Sequence, residues 1–202
     1  MVVYEWCAEV MCPNGEDIGD LLFGPTVTAV LRLAKQERLA RLAELCCSNA
    51  DALLASLKYC AMHGIGAFRI NSQILPVKTH AEAGYDIDEL PGGAEIIASF
   101  QTCGQFARKN DLRLSFHPDQ FVVLNSPNPK TLTHSLAELD YQAEVAEWVG
   151  ADTLNIHGGG AYGDKASALR ELRKNIERLP QPVRTRLTLE NDDKVYTPAD
   201  LL

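Results

Sequence analysis

The sequence lacks long apolar runs and any recognisable export signal. No apolar stretch reaches the roughly 18 residues that a membrane-spanning helix needs. Residues 1–11 contain Glu5 and Glu9, where a signal peptide would be basic. We therefore expect neither a transmembrane helix nor secretion, and the predicted compartment is the cytoplasm.

Paired cysteine motifs are also missing. The six cysteines include no C-x-x-C pair. Three of them, Cys46, Cys60 and Cys103, fall within segments that have a helical pattern of apolar residues. This distribution predicts reduced, buried thiols.

A surplus of basic charge is absent too. The formal net charge is −8, which argues against a nucleic-acid partner because phosphate binding normally uses an excess of lysine and arginine. Bound divalent cations would neutralise part of an acidic rim, however, and charge can be distributed unevenly. Residues 164–186 contain seven basic and three acidic side chains, a run that also fits a solvated helix face.

What the sequence does contain is a regular alternation of strand-like and helix-like segments. With 202 residues and 46% hydrophobic content, the chain is predicted to form one domain with a sizeable core. Buried strands are predicted at residues 65–70, 112–116, 153–156 and 187–189, and residues 2–6 form a candidate fifth strand. Helices are predicted within residues 37–63, 94–109 and 166–178, after the cap Asn128–Pro129, and from Thr197 onwards.

Three of the predicted strands are followed directly by a residue that binds metals: His117, His157 and Glu190. Successive members of this set are about one strand–helix unit apart. In a barrel of alternating strands and helices, the carboxyl ends of the strands meet on one face. Two imidazoles and a carboxylate on one rim predict a divalent metal site. The predicted fold class is therefore α/β and TIM-barrel-like.

The number of strand–helix units falls short of a closed barrel. The sequence provides about four to five units, whereas a closed TIM barrel has about eight. An open partial barrel exposes apolar faces and unpaired strand edges. The sequence therefore predicts a single partial barrel domain over residues 1–202, a fragment or truncated product, that self-associates through its open sheet edge.

Three segments around the predicted ligands resemble the UV damage endonucleases of the UvdE family: residues 115–127 (SFHPDQFVVLNSP), 156–165 (IHGGGAYGDK) and 189–193 (LENDD). Residues 68–76 (FRINSQILP) and the pair Thr79–His80 fit the same family. The resemblance runs from about residue 30 to residue 202, and residues 1–29 match poorly. It implies a TIM-barrel DNA repair endonuclease that uses divalent metals, often manganese, to nick double-stranded DNA on the 5′ side of ultraviolet photoproducts.

The resemblance also implies roles for individual residues. His80, His117, His157 and Glu190 would be metal ligands, and the last three would form the catalytic group. Two or three metal ions would activate water, so that no protein nucleophile is needed. Without the family, His80 in its polar loop has an ordinary solvated interpretation and the other two histidines fit turns, whereas Glu190 is costly to bury without a cation. Two further histidines are predicted to be structural residues on helix surfaces: His63 and His134.

Gln120 and Phe121 follow His117 on the same predicted loop. In the family these two positions resemble the probe that enters the duplex at a lesion, although many members have tyrosine where this chain has Phe121. An aromatic wedge can fill the space that flipped bases leave. The alternative is that Phe121 is a core residue beside Val122 and Val123.

Two other classes of function stay open at this point. A metal-dependent sugar isomerase or epimerase shares the barrel and the His/Glu rim, but would need no wedge that faces DNA. A non-catalytic remnant is the other class, since family members draw further ligands from later strands that this sequence does not contain. We accordingly expect the 202-residue chain to have little or no nicking activity. Lys165 and Tyr162 are weaker candidates for phosphate contact only, and a solvated helix position is the alternative for Lys165.

Overall fold

One or two helices lie between successive strands in the described part of the chain. The computed structural model describes residues 27–192 and 194–202, so the candidate strand at residues 2–6 lies outside the described residues. The elements, in chain order, are α1 (Val27–Leu31), α2 (Lys35–Met62), β1 (Ala67–Ile70), α3 (Gly93–Lys109), β2 (Arg113–Phe116), α4 (Pro129–Val149), β3 (Thr153–His157), α5 (Lys165–Glu177), α6 (Gln181–Arg184), β4 (Leu187–Glu190) and α7 (Pro198–Leu201). A short 3₁₀ turn, Ile87–Glu89, precedes α3.

The four strands form one parallel sheet in the order β1-β2-β3-β4. All three pairings are parallel, and the intervening helices make the crossovers that parallel strands require. This confirms the α/β class. The sheet is not closed into a ring within the described residues, which agrees with an incomplete barrel.

The strand boundaries differ from the sequence prediction by one or two residues. The first strand begins at Ala67 rather than at residue 65 because pairing with β2 starts only where Arg113 N–H donates to Gly66 O (2.9 Å). Leu112 is excluded from β2 because its N–H donates to Ala107 O (2.9 Å) and so belongs to the end of α3. At the other end, β3 and β4 extend by one residue and include His157 and Glu190.

The predicted helix signals coincide with observed helix ends. The α2 helix ends at Met62, and Gly64 follows in the left-handed region (φ 69°) that favours glycine. Before α4, the Asn128 side chain accepts a hydrogen bond from Lys130 N–H (3.0 Å), and Pro129 occupies the first turn. No helix in the described part of the chain combines the length and the apolar character that crossing a membrane requires.

The core lies between the sheet and the helices that cover one of its faces. Side chains that point from the strands toward the helices are buried, among them Ile70, Phe116, Leu154 and Ile156. Helices α3 and α4 approach closely at Gly104, where an added Cβ would lie 2.4 Å from Val149 O. The opposite face of the sheet is less covered, and the polar side chains of the strands lie there.

The prediction of buried thiols is confirmed for Cys46, Cys60 and Cys103, each at most 3% exposed, and none of the three is in a disulfide. Burial raises the pKa of Cys46 and of Cys103 to about 11. Both thiols therefore stay protonated and unreactive at neutral pH. Cys47 is free and exposed.

The outer edges of β1 and β4 pair with no strand among the described residues. Beside β4 lies a groove of about 550 Å³ whose lining includes the apolar side chains of Leu169, Ile176, Leu189 and Leu201, with charged side chains of α5 and α7 among them. Unpaired edges flanked by apolar surface favour association. We therefore expect the 202-residue chain, purified alone, to form concentration-dependent oligomers in sedimentation velocity.

A charge at the rim of this groove should weaken the association. Leu202 lines the groove and is not part of the core, so Leu202→Lys changes the rim without touching the core. We expect the oligomers of this variant to be weaker, so that they fall apart into monomers already at protein concentrations at which the parent chain is still associated. A parent chain that stays monomeric at every concentration would contradict the expectation.

Candidate metal centre

Polar side chains alternate with apolar ones along β3 and β4, at the carboxyl ends of the strands. Asn155 and His157 share one face of β3, and Thr188 and Glu190 share the same face of β4, because successive side chains of a strand point to opposite faces. The register places Asn155 opposite Thr188 and His157 opposite Glu190. This pairing brings a histidine and a carboxylate together at the end of the sheet.

His117, which follows β2 directly, completes the group. Its Nε2 lies 2.9 Å from Glu190 Oε2. The rings of His117 and His157 are 5.0 Å apart between centroids and meet edge to face. One donor atom from each of His117, His157 and Glu190 lies within 4.8 Å of the other two. The structure thus brings together the three residues that the sequence analysis placed on one rim.

Two neighbouring contacts orient these side chains. Asn155 donates from Nδ2 to Glu190 Oε2 (2.8 Å), and Thr188 donates from its hydroxyl to Asn155 Oδ1 (2.9 Å). The Nδ1 atom of His117 lies 3.1 Å from Pro118 O, and this contact turns the Nε2 atom toward Glu190. Such outer contacts fix the orientation of metal-binding side chains.

The hydrogen bond with His117 lowers the pKa of Glu190, and the nearby His157 adds to this effect, while partial burial opposes it. Glu190 is therefore ionised at neutral pH. Because its pKa is lower in the folded than in the unfolded state, the contact stabilises the fold above the ordinary pKa of glutamate and is lost as the pH falls through the lowered value.

The chemistry of the donor set fits a divalent metal ion. Imidazole nitrogen and carboxylate oxygen together suit several first-row divalent metals. Three protein donors leave coordination positions open, as sites that act on a substrate require. The group is half-buried, so that a substrate can reach it.

His80, the fourth ligand that the resemblance implies, lies on the loop after β1. Its Nδ1 accepts hydrogen bonds from the N–H groups of Glu82 and Ala83, both 3.2 Å long. The group of three donors within 4.8 Å does not include His80. The assignment of His80 as a ligand stays a prediction.

Gln120 and Phe121 lie on the loop after β2, and both are exposed. The Phe121 side chain is 68% exposed, whereas its neighbour Val122 is 2% exposed. Phe121 N–H donates to Asp119 Oδ1 (3.1 Å), which fixes a turn that points the ring outward. The core interpretation of Phe121 is therefore wrong.

Phe121 borders a groove of about 250 Å³ between the loops after β1 and β2. The lining of this groove includes His80, Gln73, Asp119 and Tyr141. An exposed aromatic ring of this kind can insert between the bases of a DNA duplex. The role of the pair as a lesion probe stays a prediction.

The weaker candidates have other partners. Lys165 Nζ donates to Asp200 Oδ2 (2.7 Å) and lies 5.6 Å from the centre of the Tyr196 ring, so it connects α5 to α7. Tyr162 is 52% exposed and adopts a positive φ of 48°.

His63, which was predicted to be structural, packs against Tyr59 at the end of α2. The basic run between residues 164 and 186 is partly neutralised by exposed pairs within α5: Arg173–Glu177 and Lys174–Glu171.

Sequence analysis overlooked Asn155 and Thr188, although a signal for them was present. In residues 153–157 every second residue is polar, and β4 repeats this pattern. In a parallel sheet covered by helices on one side, such alternation indicates a polar face toward the other side. Reading the strands for alternation would have grouped Asn155 with His157.

The fold and the site together define an α/β, barrel-like protein with a candidate metal centre at the carboxyl ends of its strands. The chain belongs to the UV-endonuclease UvdE family, whose model matches residues 23–202. This membership confirms the resemblance found in the motifs, and it does not support a sugar isomerase.

Known relatives agree with this assignment. The chain is 37% identical over 180 residues to a UV DNA damage endonuclease of Bacillus cereus (strain Q1), covering 88% of this chain and 55% of the relative. A UV DNA damage endonuclease of Bacillus thuringiensis subsp. konkukian (strain 97-27) matches to the same extent, with 37% identity and the same coverage. The crystal structure of SacUVDE matches with a TM-score of 0.74 and 30% identity, over 85% of this chain and 57% of that chain. The chain thus spans about half the length of the curated relatives it matches.

Proposed function

We propose that the protein to which these residues belong is a DNA repair endonuclease that nicks double-stranded DNA on the 5′ side of ultraviolet photoproducts by metal-dependent hydrolysis. The observation that carries the proposal is the convergence of His117, His157 and Glu190 within 4.8 Å at the carboxyl ends of three strands. Family membership supplies the class of substrate.

The three side chains would hold a divalent metal, most often manganese in the family, and His80 would contribute from its loop. When bound, such ions supply a water of lowered pKa and neutralise charge on the scissile phosphate. The two imidazoles and the Glu190 carboxylate then act as positioned ligands, and Asn155 keeps the carboxylate aimed at the site through its 2.8 Å hydrogen bond. No protein nucleophile is required.

Gln120 and Phe121 would recognise the lesion. Both are exposed on the loop that begins at His117, so the same backbone segment carries a ligand and the wedge. Insertion of the Phe121 ring would replace part of the stacking that a displaced base loses. The wedge would thereby couple the detection of a distorted duplex to the position of the metal site.

The test of this proposal is a nicking assay on irradiated and untreated duplex DNA with Mn²⁺ supplied. Protein expressed from the full reading frame that contains these residues should nick the irradiated duplex preferentially, and chelation of the metal should abolish the activity. Equal nicking of both duplexes would overturn the lesion-specific claim.

The 202-residue chain by itself is expected to nick irradiated DNA at least about 100-fold more slowly than that protein. Removing a group that is only hydrogen-bonded to a metal ligand typically lowers the activity roughly 10- to 100-fold, and a missing ligand should cost at least as much. The described residues offer one group of three donors, whereas hydrolysis of a phosphodiester by two or three metals needs more. A parallel nicking assay on both proteins, with equal Mn²⁺, measures the difference. Comparable rates would show that three donors and His80 suffice.

A further inference from the structure

We propose that Asn125 is a positioning residue for this metal centre, and that its side-chain amide fixes His157 by holding together the three loops that follow β2, β3 and β4. The described residues of these loops are 117–128, 158–164, and 191–192 with 194–197. Asn125 belongs to the first loop and is 3% exposed. The inference rests on the proposed function in one respect, namely that the group of three donors binds a metal.

The Asn125 amide reaches both of the other loops. Its Nδ2 lies 3.1 Å from Gly158 O, 3.0 Å from Gly160 O and 3.0 Å from the hydroxyl oxygen of Tyr196. The Tyr196 hydroxyl in turn donates to Gly160 O (2.9 Å). A single buried side chain thus connects the loop after β2 with the loops after β3 and β4.

The chemistry of the acceptors fixes the orientation of the amide. The carbonyl oxygens of Gly158 and Gly160 can only accept hydrogen bonds, so the amide nitrogen of Asn125 must face them. If the amide were turned around, Asn125 Oδ1 would face the carbonyl oxygens of Gly158 and Gly160 in a buried space with no hydrogen between them. The Asn125 Oδ1 atom accepts no hydrogen bond from the residues that the structure describes, so the amide acts here as a donor.

Hydrogen bonds hold the backbone of Gly158, the residue directly after His157, on both of its sides. The N–H of Gly158 donates to Glu190 O (3.3 Å) on β4, while the carbonyl of Gly158 accepts from Asn125. Gly158 is therefore held on one side by the strand that contains Glu190 and on the other by the loop that contains His117. The backbone position of His157 depends on both connections.

The loop after β3 fits closely around Asn125. Gly159 has a φ of 83°, and a Cβ added there would lie 2.2 Å from Asn125 Oδ1. Only glycine both adopts this backbone conformation readily and leaves room for the Asn125 side chain. The glycines after His157 thus allow the backbone to close over the amide.

Asn125 itself is held on a rigid base. The carbonyl of the preceding Leu124 accepts a hydrogen bond from Asn175 on α5 (2.7 Å). One residue earlier, Val123 N–H donates to the Ser135 hydroxyl on α4 (2.8 Å). Because hydrogen bonds to two helices fix residues 123 and 124, Asn125 has a defined position and can restrict the movement of the loop after β3.

The variant Asn125→Asp tests this inference. It keeps the shape of the side chain but replaces two N–H donors with a charged oxygen that faces two carbonyls. We expect the affinity of the 202-residue chain for Mn²⁺, measured by calorimetry, to fall about tenfold. This is the lower end of the roughly 10- to 100-fold loss that follows removal of a group hydrogen-bonded to a ligand, because Asn125 acts on His157 only through the backbone of Gly158. Asn110→Asp is the matched control, since Asn110 makes the same kind of contact with Phe106 O (2.8 Å) at the distant end of α3.

A second readout needs no metal. In the metal-free chain, Asn125→Asp should accelerate amide hydrogen exchange about tenfold or more within residues 158–164, while exchange in α3 and α4 stays as in the parent chain. Tyr196→Phe removes one of the two donors to Gly160 and should give a smaller acceleration in the same loop. It also keeps the inference testable if Asn125→Asp does not fold.

The possible outcomes separate this inference from the proposed function. Acceleration confined to the loop, with weakened Mn²⁺ binding, supports the role of Asn125. Unchanged exchange in the loop, or an equal acceleration throughout the chain with unchanged affinity, overturns it. If the parent chain binds no Mn²⁺, the metal function fails, whereas the exchange experiment still decides whether Asn125 holds the loops together.

Discussion

Replacing Glu190 with glutamine is expected to lower the Mn²⁺ affinity of the chain by at least about 100-fold. Removing a group that is only hydrogen-bonded to a metal ligand typically lowers the metal affinity roughly 10- to 100-fold, so removing a ligand itself should cost at least as much. The substitution removes the carboxylate charge at the point where both histidines converge, and an amide is a poor ligand in its place. The Oε2 atom of Glu190, which would bind the metal, lies 2.9 Å from His117 Nε2. Calorimetric titration with Mn²⁺ measures the effect directly.

The fold should survive this change. The Glu190 side chain is 43% exposed, and partly exposed ion pairs contribute about 1 kcal/mol or less. We expect the free energy of unfolding, measured with urea on the metal-free protein, to stay within about 1 kcal/mol of the parent value. Glu171→Gln, at an exposed position on α5 that pairs with Lys174, is the control and should leave both affinity and stability unchanged. A Glu190→Gln protein that binds Mn²⁺ normally would remove Glu190 from the proposed site.

Replacing Phe121 with alanine is expected to reduce nicking of irradiated duplex about 10- to 100-fold in the protein made from the full reading frame, because stacking of a base on an aromatic ring contributes about 1–3 kcal/mol. Metal binding should not change, because the Phe121 ring points outward from its turn and is 68% exposed. The loss should appear in the rate at low DNA concentration, where recognition limits the reaction. Stability should change by no more than about 0.5 kcal/mol, as for most surface substitutions.

Phe121→Tyr is the matched variant, since it keeps the ring and adds only a hydroxyl. We expect it to nick irradiated DNA at a rate close to the parent. If Phe121→Ala were as active as the parent protein, the wedge would have to be assigned to another residue of this rim.

Much of the fold followed from local sequence signals. The four strands were predicted because each is a short apolar run bounded by turn residues, and the ends of α2 and α4 were predicted because Gly64 and the Asn128–Pro129 pair act through the local backbone alone. The errors at strand boundaries arose where a backbone hydrogen bond, and not the apolar pattern, decides which residues pair. Leu112, for example, is apolar like Leu114 of the strand, but its N–H donates to Ala107 O at the end of α3.

The centre of the site was also predictable, and its surroundings were not. His117, His157 and Glu190 each end a strand, and the topology of parallel strands brings strand ends together whatever lies between them. Asn125 and Tyr196 gave no comparable signal, because their importance depends on loops of irregular backbone that meet only after folding. His80 shows the same limit, since nothing in its sequence neighbourhood fixes the distance between its loop and the strand ends.

The register of β3 against β4 has a consequence for changes in chain length. His157 and Glu190 are opposite each other, and so are the two residues two positions earlier. Deleting or inserting one residue inside either strand would turn every later side chain of that strand to the other face. Glu190 would then point toward the helices while its partner stayed in place. Insertions and deletions in this half of the protein must therefore fall outside the strands, and exposed loop tips are where chains accept them most easily.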